Sequence, residues 1–234
     1  GKQLVVEINR GKKDSMLTTA VLWHSMVTQK TDTLIKGFND AKAFAFDEAG
    51  KQLAFVVTND TTKAEQKNFI LYLFNNSLEK TIIDNAFKGI PAAWRINENA
   101  NLNFSKSGNR LFLGTSPKLP AKDTSLPEFE RVSVDVWHYN DDDLQPMQLK
   151  NLDADLKRSY TAMVDINTNT LVQLGNEKFE RISQTFEGDG SVFYTSSDFG
   201  KRVARQWQGF SLNDVYSISS SNGKAQLIAK DFKG

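Results

Sequence analysis

Three times along the chain a phenylalanine is followed four positions later by glycine and three after that by an apolar side chain. The sets are Phe46, Gly50 and Leu53; Phe104, Gly108 and Leu111; and Phe186, Gly190 and Phe193. An apolar strand end, a polar turn in which glycine can take positive φ, and a returning strand together describe a β-hairpin. The phenylalanines lie 58 and 82 residues apart. Propeller blades repeat at about 40–50 residues, so both gaps hold extra material.

Each phrase is followed by a second hairpin. Residues 68–74 turn at Asn75-Asn76-Ser77 and return through 81–83. Residues 134–139 turn at Asn140-Asp141-Asp142-Asp143 and return through 147–149, and 214–218 turn at Ser221-Asn222-Gly223 and return through 225–228. Alternation of period two, broken by Asn, Asp, Ser and Gly, is the antiparallel signature, and two hairpins make a four-stranded blade. Residues 4–8, 20–23 and 33–35 read as an incomplete first blade, and 161–166 with 171–174 as a lone hairpin. Residues 116–131 hold three of the five prolines and read as a long inter-strand loop. No amphipathic helix stands out, and 153–158 forms one short turn at most.

The expected fold is all-β, a propeller or partial propeller of about four or five blades built from antiparallel hairpins. Its blade-like units fall at 1–37 (partial), 38–86, 94–150, 159–175 (a partial hairpin) and 180–230. A β-sandwich of similar hairpins is the alternative; recurrence of the phrase in register favours the propeller. Too few units are present for a large ring, so an open arc or a distorted small ring is expected, with apolar terminal faces and dimer contacts through them.

Composition removes much chemistry. The chain has no cysteine, which excludes disulfides, thiolate metal sites and thiol nucleophiles. Twenty-nine Lys and Arg against 28 acids leave a net charge of +1, which points to neither nucleic acid nor a membrane surface. No apolar run approaches the ~18 residues of a membrane helix, and no signal peptide opens the chain. The start, Gly1-Lys2-Gln3-Leu4, lacks Met and enters directly into a strand pattern, as expected of a stretch inside a longer chain. The only histidines, His24 and His138, each adjoin a tryptophan on a predicted strand, so no metal site is expected. Gly-x-Ser-x-Gly is absent, because Gly114-Thr115-Ser116 runs into Pro117 and Gly209-Phe210-Ser211 into Leu212-Asn213. No phosphate-binding or dinucleotide glycine loop appears, and neither a catalytic nor a cofactor residue is assigned. Asp141-Asp142-Asp143 lacks the ligand alternation of a calcium loop and reads as a solvated turn. The basic stretch 201–207 reads as surface, and Trp23, Trp94, Trp137 and Trp207 as inter-blade packing.

The stretch Asn103-Phe104-Ser105-Lys106-Ser107-Gly108-Asn109-Arg110-Leu111 resembles the WD-like repeat of Tol-system propellers and prolyl oligopeptidase-type peptidases. Val134-Asp135-Val136-Trp137-His138-Tyr139-Asn140-Asp141, followed by Leu144-Gln145-Pro146-Met147-Gln148, is similar to a stretch of bacterial members of that peptidase family. Residues 155–160, 205–207 and 214–216 continue the likeness in order, so it covers most of the chain from about residue 40. The resemblance implies a non-catalytic propeller segment beside a C-terminal α/β-hydrolase domain that carries Ser, Asp and His. No part of that domain is present in this sequence, so no catalytic residue carries over. It further implies that the segment packs on and gates the hydrolase, with peptide as substrate, in a periplasmic or secreted parent protein. A free-standing propeller that binds a protein or glycan is the alternative.

Overall fold

The structure, a computed structural model, describes residues 2–9, 18–61, 66–119, 127, 130, 136 and 138–233. Four antiparallel sheets follow one another along the chain. The first contains β1 (Gln3–Ile8), β2 (Ala20–Ser25) and β3 (Thr31–Lys36) in that order. The second contains β4 (Asp40–Phe46), β5 (Gln52–Thr58), β6 (Ile70–Asn75) and β7 (Lys80–Ile83), also in order. The third is built on β10 (Arg110–Pro117), with β8 (Trp94–Ile96) and β9 (Asn103–Phe104) along one edge and β11 (Tyr160–Asp165) and β12 (Thr170–Gln173) beyond the other. The fourth contains β13 (Val192–Ser197), β14 (Leu212–Ser219) and β15 (Ala225–Lys233). Helices α1 (Gln145–Leu156) and α2 (Arg202–Gln208) lie between β10 and β11 and between β13 and β14.

Successive side chains of a strand point to opposite faces, and here those faces meet different neighbours. In β5, Leu53, Phe55 and Val57 join Val21 and Trp23 of β2 in one core cluster. Ala54 and Val56 of the same strand join Leu111, Leu113, Ala162 and Val164 of the third sheet in another. Phe112 and Met163 turn the other way and meet Phe193 and Ile218 of the fourth sheet. Three interfaces therefore link four sheets into an arc, each sheet packing on the next as blades do. Aromatic rings reinforce the first interface: Phe55 stacks on Phe44 at 5.2 Å and on Phe74 at 5.8 Å, and Trp23 meets Phe46 edge-on at 5.7 Å.

Several expectations need correction. The hairpin at 159–175 is not a separate unit, because β11 pairs with β10 along six residues and completes the third sheet. Residues 147–149 are not a return strand but lie inside α1, which begins with proline in its first turn. The hairpin read at 134–139 falls largely outside the described residues; among them, Val136 is exposed. Trp23 is buried between sheets and Trp94 stacks on Tyr160 at 5.4 Å, but Trp207 on α2 is 80% exposed and packs no interface. Trp137 lies outside the described residues.

The third copy of the repeated phrase is also displaced. Eight residues separate the paired Ala45 and Ala54, and eight the paired Asn103 and Phe112, whereas ten separate Ser183 from its partner Tyr194. The third turn is thus two residues longer. Gln184, not Phe186, stands where Phe46 and Phe104 stand, and Phe186 sits on the turn, 85% exposed with φ of 49°. Positive φ belongs to Gly50 and Gly108 in the first two turns but to Gly188, not Gly190, in the third. Gly190 is required for another reason: an added Cβ would collide with the Thr185 side chain.

Leu53, Leu111 and Phe193 are each 0% exposed. Phe193→Ala is accordingly expected to cost about 3–5 kcal/mol, whereas Phe186→Ala should change stability by less than about 0.5 kcal/mol. Denaturant unfolding of the two variants checks this; comparable losses would contradict the assignment of Phe186 to the turn.

Candidate functional site

The three turns that follow the inner strands lie side by side and are tied to one another. The residue that opens the second strand of a unit reaches the turn of the next. Gln52 Nε2 donates to the carbonyl of Gly108 at 2.8 Å. Arg110, in the same position one sheet later, donates through Nη1 to the carbonyls of Gly188 (3.0 Å) and Gly190 (2.6 Å). Within the first two turns a short polar side chain holds the loop. Asp47 Oδ1 accepts from the backbone N–H groups of Lys51 and Gln52, and Ser105 Oγ accepts from that of Arg110. In the third turn Thr185 takes this place and donates through Oγ1 to the carbonyl of Val192, while Glu187 reaches back to Lys106 Nζ, 2.9 Å from each carboxylate oxygen. Asp189 accepts from the N–H and hydroxyl of Ser107 at 2.8 and 2.6 Å. Burial alone would raise the Asp189 carboxyl, but the hydroxyls of Ser107 and Ser105, the Ser107 N–H and the Arg110 charge more than offset it and hold it below its usual value.

Between these turns lies a cleft of about 350 Å³ with Phe46, Phe104 and Gln184 among its walls and Glu48, Lys106 and Glu187 on its rim. Aromatic faces with charged groups around them can receive an apolar or planar group and hydrogen-bond its edge. Of the repeat residues, Phe46 and Phe104 line this region and the carbonyls of Gly108 and Gly190 receive the turn ties, Gly50 lies in the first turn, and Leu53, Leu111 and Phe193 are buried in the interfaces. Sequence reasoning missed Gln52 and Arg110, whose partners are 56 to 80 residues away.

A second cleft, about 400 Å³, opens beside α1 and α2, with Tyr139, Leu144, Pro146 and Val203 among its lining residues. Its floor adjoins a knot of charge around Arg202. The guanidinium bonds Glu180 at 2.6 Å and Asp198 at 2.9 Å. Asp142 and Asp143 approach it at 3.4 and 3.5 Å, ion-pair distances without hydrogen-bond geometry at Asp142 Oδ2. Asp142 Oδ1 accepts instead from the Arg202 N–H. Glu180 also binds Arg158 at 2.6 Å, and Arg158 pairs with Asp155. Burial works against the Arg202 charge, yet Asp198 and Glu180 outweigh it and raise its pKa further above the usual value. Asp142 and Asp143 are therefore not simply a solvated turn, and the basic stretch is partly internal: Lys201 holds Asp214 at 2.5 Å and Asp231 at 2.8 Å. Asp141 braces the same loop, accepting from the His138 N–H at 2.8 Å. His24 is bonded to Thr31 at 2.8 Å on the first sheet.

No family model matches the sequence, and no curated protein matches it. Solved structures do. The β-propeller domain of the Trilobed protease from Pyrococcus furiosus, described as having an open velcro topology, aligns with 99% of this chain and 55% of its own at 10% identity and a TM-score of 0.50. An acylaminoacyl peptidase from Pyrococcus horikoshii aligns with 98% of this chain and 30% of its own at 11% identity and 0.45. A prolyl endopeptidase aligns with 99% and 28% at 12% and 0.42. This chain thus spans about half the first structure and less than a third of the others. At such identities the likeness establishes the fold, a partial β-propeller.

Arg202→Met leaves Asp142, Asp143, Glu180 and Asp198 facing one another. It should cost about 1–3 kcal/mol at neutral pH and low ionic strength, with the deficit shrinking as salt screens the repulsion among the carboxylates. Thermal unfolding at low and high salt checks it; an equal loss at both would contradict the charge account.

Proposed function

We propose that this chain serves as the non-catalytic propeller segment of a prolyl oligopeptidase-like serine peptidase, packing on and gating a hydrolase domain that this sequence does not contain. The observation that carries the reading is a coincidence of two features. The chain folds as a propeller arc like the propeller domain of a protease, and α1, which connects β10 to β11, opens on the family-like phrase Leu144-Gln145-Pro146-Met147-Gln148. In this reading the sheets restrict by size what reaches the hydrolase, peptide is the substrate of the whole protein, and the parent works in the periplasm or outside the cell. No cofactor is required. The cleft between Phe46 and Phe104 supports a second reading, a free-standing propeller whose aromatic pocket receives a protein or glycan group.

A serine-directed fluorophosphonate and a prolyl-peptide substrate separate the two readings. The 234-residue chain should neither label nor hydrolyse. The product of the uninterrupted gene should label on a serine in Gly-x-Ser-x-Gly located outside this sequence. Labelling of any serine within this chain, or a gene product without such a serine, would contradict the proposal.

A further inference from the structure

Most of the charge on the inner turns is already engaged. Asp47 is held by two backbone N–H groups, Asp189 by Ser107, and Arg110 by the carbonyls of Gly188 and Gly190. Three charged side chains line the cleft between the turns, and they do not balance: the carboxylates of Glu48 and Glu187 share the single ammonium of Lys106. Glu187 grips that ammonium with both oxygens. Its hydrogen bond and charge, followed by the more distant charge of Glu48, hold Lys106 above its usual pKa. Among the described residues no hydrogen bond or ion pair engages the carboxylate of Glu48, and none engages the side-chain amide of Gln184.

The walls are aromatic. Phe46 and Phe104 stand at the same position of successive sheets, which brings both rings to one cleft of about 350 Å³. Helices α1 and α2 leave the opposite ends of β10 and β13, so this cleft and the charge cluster of Arg202 lie at opposite ends of the strands.

We infer that the cleft is a binding site for the guanidinium of an arginine side chain on a polypeptide partner, stacked against Phe46 and Phe104 with its N–H groups donating to Glu48 and Gln184. Charge selects this occupant. An acid would meet two carboxylates for one ammonium, and an apolar group would strip water from Glu48 without replacing its hydrogen bonds. A neutral sugar would leave the surplus charge uncompensated. A cation compensates it, and the faces of aromatic rings attract cations. Guanidinium suits the walls better than ammonium because it is planar, weakly hydrated and presents its N–H groups in a fork that matches a carboxylate. The inference rests on the second reading above, in which the cleft receives a group of a partner, and it does not depend on a hydrolase domain.

Calorimetric titration of the 234-residue chain at low ionic strength tests it, with an acetylated and amidated Ala-Arg-Ala tripeptide, its citrulline and lysine counterparts, and a neutral disaccharide as probes. The arginine peptide should bind with a dissociation constant on the order of 0.1–1 millimolar. Citrulline keeps the shape and loses the charge, so its peptide should bind at least about tenfold more weakly, with lysine between the two. Glu48 and Lys106 are both exposed, so their substitution leaves the fold intact. Glu48→Gln should weaken the arginine peptide about three- to fivefold. Lys106→Met should tighten it, because a competing cation is removed and Glu187 is released. Phe186→Ala alters the same turn at a residue that does not line the cleft, and it should change nothing. No binding up to about 10 millimolar, citrulline or lysine binding as tightly as arginine, indifference to Glu48→Gln, or weakening by Lys106→Met would each overturn the inference. Preference for the disaccharide would overturn it while leaving the second reading of the cleft in place.

Discussion

A strand held between two sheets has no side left for water, and β5 meets that demand by giving successive side chains to different neighbours. Leu53, Phe55 and Val57 complete the core shared with the first sheet, while Ala54 and Val56 complete the core shared with the third. The two sets are interleaved along one backbone. A one-residue slip of β5 against β6 would therefore exchange two interfaces at once. Register within a sheet and the order of sheets in the arc are fixed by the same contacts. β10 and β11 obey the same parity, with Leu111, Leu113, Ala162 and Val164 facing back and Phe112 and Met163 facing forward.

Apolar packing by itself lets sheets slide, because it is not directional. The turn ties supply direction. Gln52 and Arg110 each fix the following turn through a backbone carbonyl, and Ser107 with Asp189 adds a second anchor between the third and fourth sheets. The strain of two consecutive non-glycine residues at positive φ, Phe186 and Glu187, is confined to the turn carrying the most anchors. The aromatic cleft between the turns inherits its shape from these ties, since Phe104 and Gln184 belong to the sheets they connect.

Most strands are legible in the sequence because their signals are local. The apolar runs 53–57 and 69–74, and the Asn75-Asn76-Ser77 and Ser221-Asn222-Gly223 turns, need no knowledge of distant residues. What was hidden is non-local. Phe186 matches the repeated phrase letter for letter, and only the pairing of Ser183 with Tyr194 shows the turn to be two residues longer. Asp142 and Asp143 look like a solvated run until Arg202, about sixty residues on, is seen to approach them. Helix α1 was legible in principle. Met147-Gln148-Leu149 fits a short strand as well as a helix, but Pro146 in the first turn and the spacing of Leu149, Leu152 and Leu156 favour the helix. Of the cleft, Phe46 and Phe104 were readable from the repeat; Gln184 was not, because its place depends on the same hidden insertion.

The central claim is an open arc in which inner sheets are covered on both faces and terminal sheets on one. Native-state hydrogen exchange resolved by residue in dilute solution tests it most directly, since protection follows burial and pairing of each amide. The slowest amides should be those of β5, β6, β10 and β11, with β1 and β15 exchanging faster by orders of magnitude. Equal protection across all four sheets would mean that the ends are covered or the ring is closed, and would contradict the account.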